Sequence, residues 1–345
     1  FIVFIKSINL IRSFFTGTYN MIILTKNGGG AMETDQNAEF YEKLEKKGVS
    51  RRDFLKYCTA LTATMGLSYS CAGRVADQVA KAAAKPRPAV IWLHFSECTG
   101  CSEAFLRAPD VGSVILETIS VEYHETLMAA SGHQAEKSLH DAVEKYQGEF
   151  VCVVEGAIAT NYNGAYGKVA GRSFLEIAKD VVPKSAATIA IGSCASYGGI
   201  AAAKPNPGGY KGVGDALGIS PINLPGCPMN PLNLVAVILK YLNGEAMQMD
   251  SIGRPMFAYG ETVHQNCPRL KYYDEFKFVK EFGSKEAEMG YCLYTMGCRG
   301  PETYNNCPKV KFNNGTSFPI QAGHPCIGCS EPNFWDNMTP FYEEF

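Results

Sequence analysis

Thiol spacing constrains this chain more tightly than any other feature of it. Thirteen cysteines stand among 345 residues. Cys98 and Cys101 share the string Glu97-Cys98-Thr99-Gly100-Cys101, Cys194 follows Gly192-Ser193, and Cys227 lies between Gly226 and Pro228. Farther on come His264 and Cys267, three residues apart, then Cys292, Cys298, Cys307, Cys326 and Cys329. An odd count argues against a pure disulfide framework. In a reducing compartment such density points to metal or redox chemistry instead. Whatever fold the chain adopts must bring distant thiols together.

The stretch from Pro86 to about residue 260 alternates short apolar, β-rich runs with helical patterns. AVIWLHF (89–95), SVEYHETL (120–127), FVCVVEGAI (150–158), ATIAIGSCA (187–195) and the run ending in INLPGCP read as strands. Helical patterns begin at Ser102 and cover 133–146, 167–182 and 231–244. Such alternation predicts parallel βαβ units in a doubly wound sheet, an α/β fold. Working residues of these sheets sit in the loops after the strand carboxyl ends. Cys98, Cys101, Cys194 and Cys227 all follow predicted strands, so four thiols are expected at one sheet edge, as a [4Fe–4S] cube requires. A four-cysteine zinc site uses the same residue types but usually pairs two CxxC knuckles, and only one is present. A thioredoxin-like CxxC would leave Cys194 and Cys227 without a role. Cys152, in mid-strand, reads as a small buried hydrophobe.

From Thr262 the rhythm fades into Pro-, Gly- and Asn-rich sequence. One histidine and six cysteines, His264 to Cys329, fall within 66 residues. A loop-rich module of this kind commonly depends on metal to fold. Six cysteines would also allow three disulfides. His264, three residues before a Cys-Pro, reads as a ligand, whereas His94 and His324 read as structural histidines.

The N-terminal region reads as an address. Residues 1–49 are expected to be a non-native or disordered extension, with Met32 as the natural start. The longest charge-free run there, Ser13 to Thr25, is shorter than the about 20 apolar residues that span a bilayer. Ser50-Arg51-Arg52-Asp53-Phe54-Leu55-Lys56 resembles a twin-arginine export motif. An apolar stretch and small residues follow, so 50–85 is taken as a signal region, Cys58 and Cys71 included. This route carries folded proteins, which suits a chain loaded with cofactor before export.

CTGCSE, GSCASYGG, LPGCP, HQNCPR, MGCRGP and HPCIGCSEPNFWD, in this order, resemble the small subunit of periplasmic nickel–iron uptake hydrogenases. The resemblance runs from about Pro86 to the C-terminus. It implies a flavodoxin-like domain over 86–260 and an irregular cluster domain over 261–345. It also implies a proximal [4Fe–4S] cluster on Cys98, Cys101, Cys194 and Cys227. A distal [4Fe–4S] cluster would use His264, Cys267, Cys292 and Cys298, and a medial cluster Cys307, Cys326 and Cys329. Pro319 stands where four-iron relatives place a fourth medial thiolate, so a [3Fe–4S] cluster is expected there. Gly100 and Gly199 stand where oxygen-tolerant relatives carry extra cysteines, so an ordinary proximal cube is expected.

The implied activity is hydrogenase (H2:acceptor oxidoreductase), with this chain as the electron-transfer subunit of a heterodimer. The nickel–iron centre lies on a separate large subunit. Electrons leave for a cytochrome or a membrane quinone-reducing partner. Glu97 admits two readings, a proton path or a capping carboxylate. No apolar span follows PNFWDNMTPFY, so a periplasmic protein without a C-terminal membrane anchor is expected. Two other classes compete: a stand-alone electron carrier, and the cluster subunit of a respiratory complex, which lacks a seven-ligand C-terminal module. A net charge of -2 gives no basic footprint and excludes nucleic acid as a partner.

Overall fold

The computed structural model describes residues 31–107 and 118–343. Two units divide the chain, Phe1–Glu39 and Phe40–Phe345. Of the first, only the backbone from residue 31 is described, as the beginning of helix α1 (Ala31–Lys46). The rest concerns the second unit.

Its centre is a five-stranded sheet of β1 (Ala89–His94), β2 (Ser120–His124), β3 (Val151–Glu155), β7 (Ala187–Ile191) and β9 (Ile222–Leu224). The strands run in the order β2-β1-β3-β7-β9, every pair parallel. This is the flavodoxin-like order, with the direction of winding reversing between β1 and β3. β1 and β3 are buried along their whole length, as a sheet covered on both faces requires. Two small antiparallel pairs flank it: β4 (Ile158–Ala159) with β8 (Tyr210–Lys211), and β5 (Lys168–Val169) with β6 (Arg172–Ser173).

Both faces carry helices. On one, α5 (His133–Lys145), α6 (Phe174–Val181) and α8 (Val213–Leu217) bury Leu139, Val143, Ile177, Val181 and Val213 with Ile91, Cys152 and Val154. On the other, α9 (Pro231–Leu242) is apolar nearly all round and packs with Val90, Trp92 and Val153. The same cluster takes in α2 (Arg51–Thr64) and α3 (Ala72–Ala83) through Phe54, Leu61, Val75 and Val79. The apolar stripe of the predicted signal region is thus helical and lies with α9, while Arg51 and Arg52 stay exposed.

Several element boundaries differ from the sequence reading; the strand expected over 120–127, for example, ends at His124. The helix expected over 167–182 begins only at Phe174. Ahead of it, Ala170 and Gly171 take positive φ (50° and 81°) and turn the chain into the β5–β6 hairpin. The strand expected over 150–158 stops at Glu155, because Gly156 at φ 100° redirects the chain toward β4. The strand at 187–195 ends at Ile191, and Cys194 instead sits on helix α7 (Gly192–Tyr197).

Beyond α9 the chain makes only short helical turns and isolated bridges. Its own core is small, built on Val263, Val279, Leu293, Met296, Phe318 and Ile320, with Cys298 and Cys307 inside it. Asn233 on α9 and Asn306 exchange two buried amide hydrogen bonds (3.1 and 2.8 Å) that fasten this segment to the sheet domain. Arg254, 7% exposed, adds ion pairs to Asp250 (2.7 Å) and Glu331 (2.9 Å). Among the described residues no helix is long and apolar enough to cross a membrane.

Candidate metal centres

Parallel strands aim their carboxyl ends in one direction, and several of them here end in ligand-bearing turns. Cys98 and Cys101 follow β1, Cys101 on helix α4 (Gly100–Leu106). Cys194 follows β7 and Cys227 follows β9. All four line one cavity of about 100 Å³ at the β1/β3 switch point, together with Glu97, Glu155, Gly156, Gly192 and Pro228. Gly192 takes φ 77°, and a Cβ there would lie 2.5 Å from Cys101 Sγ, so no larger residue fits against that thiol. Gly100 and Gly199 also abut the thiols: added Cβ atoms would stand 3.0 Å from Cys98 Sγ and 2.5 Å from Cys194 Sγ.

The thiols press on one another electrostatically. Burial lifts Cys101 well above the ordinary thiol range, and Glu155, Cys194 and Cys227 push it the same way. Cys194 is pushed up to about 12 by burial and by Cys227 and Cys98. Cys227 is raised by burial, then by Cys98. Thiolates cannot collect here without positive charge, which a bound metal cluster would supply. The Met229 amide, donating to Cys101 Sγ at 3.5 Å, favours the anionic sulfur.

The second cavity, about 190 Å³, is lined by Cys307, Cys326 and Cys329, with Pro319, Phe318, Ile320 and Thr303 in its wall. Burial raises Cys307 well above its ordinary range and Cys326 strongly, and pushes Cys329 up to about 11. The third hollow collects His264, Cys267, Cys292 and Cys298, with Arg269 and Gly300. Burial raises all three thiols, Cys292 to about 11, and lowers His264, which keeps its imidazole in the neutral, ligating form. The Arg269 amide donates to Cys267 Sγ at 3.4 Å.

The three cavities adjoin in series. Cys227 lines both the first and the second, where it shares the wall with Cys329. The Cys326 amide donates to Cys298 Sγ at 3.4 Å, joining the second to the third. Ser193 Oγ donates to the Cys329 carbonyl across the first junction.

Every ligand candidate thus falls into one of three groups. Cys58 and Cys152 lie fully buried in apolar cores, and Cys71 stands on the short turn before α3. None of the thirteen cysteines forms a disulfide. His94 is buried, 3.3 Å from Glu97 Oε1. Sequence reasoning missed Glu155. Its Oε1 accepts from the amides of Cys101 (3.0 Å) and Ser102 (3.2 Å), and its Oε2 from Ser102 Oγ (2.6 Å) and Trp92 Nε1 (3.1 Å). The available signal was a carboxylate closing an otherwise apolar strand, FVCVVE, just before a glycine. His124, 2% exposed at the end of β2, was missed as well.

Comparison with known proteins places this architecture. Residues 259–342 match the family described as NiFe/NiFeSe hydrogenase small subunit (C-terminal). Residues 98–241 match NADH ubiquinone oxidoreductase, 20 Kd subunit. The periplasmic [NiFe] hydrogenase small subunit 1 of Nitratidesulfovibrio vulgaris is 55% identical over 308 residues, covering 88% of this chain and 96% of that protein. The quinone-reactive Ni/Fe-hydrogenase small chain of Wolinella succinogenes is 47% identical over 305 residues, covering 87% and 85%. A solved [NiFeSe]-hydrogenase chain from Dm. baculatum superposes with a TM-score of 0.69 at 36% identity, covering 76% of this chain and all of that one. The C-terminal match spans the whole seven-ligand segment, which separates the chain from the respiratory-complex reading. On these grounds the chain belongs to the NiFe hydrogenase small subunits, the iron–sulfur, electron-transfer subunits of those enzymes.

Proposed function

We propose that this protein holds three clusters in series and relays electrons from H2 oxidation on a nickel–iron large subunit to an external acceptor. Cys98, Cys101, Cys194 and Cys227 hold a proximal [4Fe–4S] cluster. Cys307, Cys326 and Cys329 hold a medial [3Fe–4S] cluster, and His264, Cys267, Cys292 and Cys298 a distal [4Fe–4S] cluster. Bound clusters supply one-electron storage at potentials tuned by charge, hydrogen bonds and exposure. The polypeptide fixes their order. The observation that carries this reading is the adjacency of successive sites: Cys227 lines the cavity of Cys329 as well as its own, and the Cys326 amide donates to Cys298 Sγ. Pro319 in the medial wall brings no thiolate, which favours three irons there.

The remaining assignments follow from the same reading. Residues 86–260 act as the flavodoxin-like domain and 261–345 as the cluster domain. Residues 50–85 direct export by the twin-arginine route to the periplasm. The acceptor is a cytochrome or a membrane quinone-reducing partner, in keeping with a relative named quinone-reactive. Iron analysis with EPR of the oxidised heterodimer tests the whole. We expect about twelve irons per heterodimer, about eleven in this chain's clusters and one at the nickel–iron centre, and a [3Fe–4S] signal. Purification as a monomer with no nickel-bearing partner would favour a stand-alone carrier instead.

A further inference from the structure

Beside the proximal cavity lies a buried polar network that electron storage alone does not require. His94, at the end of β1, and His124, at the end of β2, face each other, His94 Nε2 standing 3.3 Å from His124 Nδ1. Both rings are buried, at 5% and 2% exposure. His94 Nδ1 meets Glu97 Oε1 at 3.3 Å, and Glu97 lines the proximal cavity. His124 Nε2 meets Ser102 Oγ at 3.3 Å, and Ser102 Oγ donates to Glu155 Oε2 at 2.6 Å. On the solvent side the exposed Thr126 offers Oγ1 at 3.0 Å from His124 Nδ1.

The donors available fall one proton short of the contacts made. Ser102 spends its hydroxyl hydrogen on Glu155. Three contacts then rely on imidazole N–H groups: Glu97 to His94, His94 to His124, and His124 to Ser102. Two neutral imidazoles carry two such hydrogens. With His94 Nδ1–H on Glu97 and His124 Nε2–H on Ser102, the bare nitrogens His94 Nε2 and His124 Nδ1 face each other. One added proton at His124 Nδ1 completes every contact. A second would set two N–H groups against each other between the rings. Burial, and then the His94 charge, push His124 down to about 4, so even the first added proton stays off near neutral pH until negative charge is added beside the pair. The Thr126 hydroxyl reaches the very nitrogen that lacks the hydrogen.

His94, Glu97 and Glu155 bring one ligand atom each within 4.8 Å of one another, a spacing that could hold a cation. Both Glu155 oxygens, however, already accept two hydrogen bonds each. The group is therefore a hydrogen-bond network.

We infer that the His94–His124 pair is a redox-linked proton site, gaining one proton from solvent through Thr126 when the proximal cluster gains an electron and releasing it when the electron moves on. This rests on the proximal ligand assignment proposed above. The balance is simple: one electron from H2 oxidation enters the cluster, and one proton leaves water. Thr126 Oγ passes its hydrogen to His124 Nδ1 and takes another from solvent. Added negative charge in a site of low dielectric favours a cation nearby. The charged groups facing the pair are Glu97 on the loop after β1, Glu155 on β3 and Glu125 beside β2, all carboxylates that favour the imidazolium.

EPR-monitored redox titration of the intact heterodimer between about pH 5 and 8, where imidazole titrates, tests this. The proximal midpoint potential is expected to fall by up to about 59 mV for each tenfold drop in proton concentration, the one-electron, one-proton limit. His124→Gln and His94→Gln each keep a polar side chain that cannot take the proton, and should flatten that slope while the cluster signal persists. His140→Gln, an exposed histidine on α5, should leave it unchanged. Thr126→Val should keep the equilibrium slope and slow re-equilibration after a pH jump several-fold; an unchanged rate would remove Thr126 as the entry. A flat slope in the unmodified protein, or a slope that survives both histidine substitutions, would overturn the inference with the cluster assignment intact. A proximal signal that survives Cys101→Ser and Cys194→Ser unaltered would overturn the assignment itself.

Discussion

Cys152 and Cys101 are both nearly inaccessible thiols in the same domain, yet they differ in what surrounds them. Cys152 lies in mid-β3, with β1 and β7 on either side, and no other thiol contributes to its shift. Cys101 faces a cavity with three more. Cys152→Ala should therefore lower stability by about 1 kcal/mol, the scale of a small core deletion, and leave iron content unchanged. Cys101→Ser should lose proximal iron. Pro319, in the wall with Cys307, Cys326 and Cys329, gives the converse. Pro319→Cys should raise the iron count by one and replace the [3Fe–4S] EPR signal of the oxidised protein. Cysteine positions and glycine neighbours were legible in the sequence because ligands must be those residue types. Glu155, His124 and Ser102 were not. Their roles depend on which strand ends lie side by side, and sequence position does not reveal that β3 follows β1 across the sheet.

Strands were legible where burial on both faces makes them continuously apolar, as in β1 and β3. Misreadings came where backbone conformation overrides side-chain pattern. The residues from Gly167 to Val182 carry helical periodicity, but Ala170 and Gly171 turn left-handed and the helix waits for a proper cap. Ser173 supplies it: its Oγ accepts from the Glu176 amide at 3.2 Å, and its own amide donates to Glu176 Oε2 at 2.7 Å. Ser173→Ala should cost about 1 kcal/mol, read by chemical denaturation. The proximal cavity should survive, since α6 contributes no ligand. The predicted signal region likewise shows an element pattern put to use. Its apolar positions, Phe54, Leu61, Val75 and Val79, recur at helical spacing and join the α9 cluster.

At the scale of the whole chain, the sheet domain and the C-terminal segment meet through specific buried contacts. The Asn233–Asn306 amide pair is one, and Arg254 is another, buried and paired with Asp250 and Glu331. Arg254→Ala would leave two carboxylates without their cation, an expected loss of about 3 to 5 kcal/mol, measurable as a lowered unfolding midpoint of the loaded protein. The ligand-dense segment was legible from the change in rhythm near Thr262, although the last long helix already ends at Leu242. The closeness of the three sites was not, because it arises from how the second half meets the turns after β7 and β9, at Ser193 and Cys227.

That closeness has a consequence for biogenesis. Cys227 walls two cavities, and the Cys326 amide reaches the Cys298 thiol of the next. Filling one site therefore orders part of its neighbour, and the middle site gains from both sides while each outer site gains from one. Maturation then resembles a short series of coupled steps, with half-filled species scarce. Under limiting iron the population should divide between nearly empty and nearly complete molecules, and a chelator should strip the clusters together.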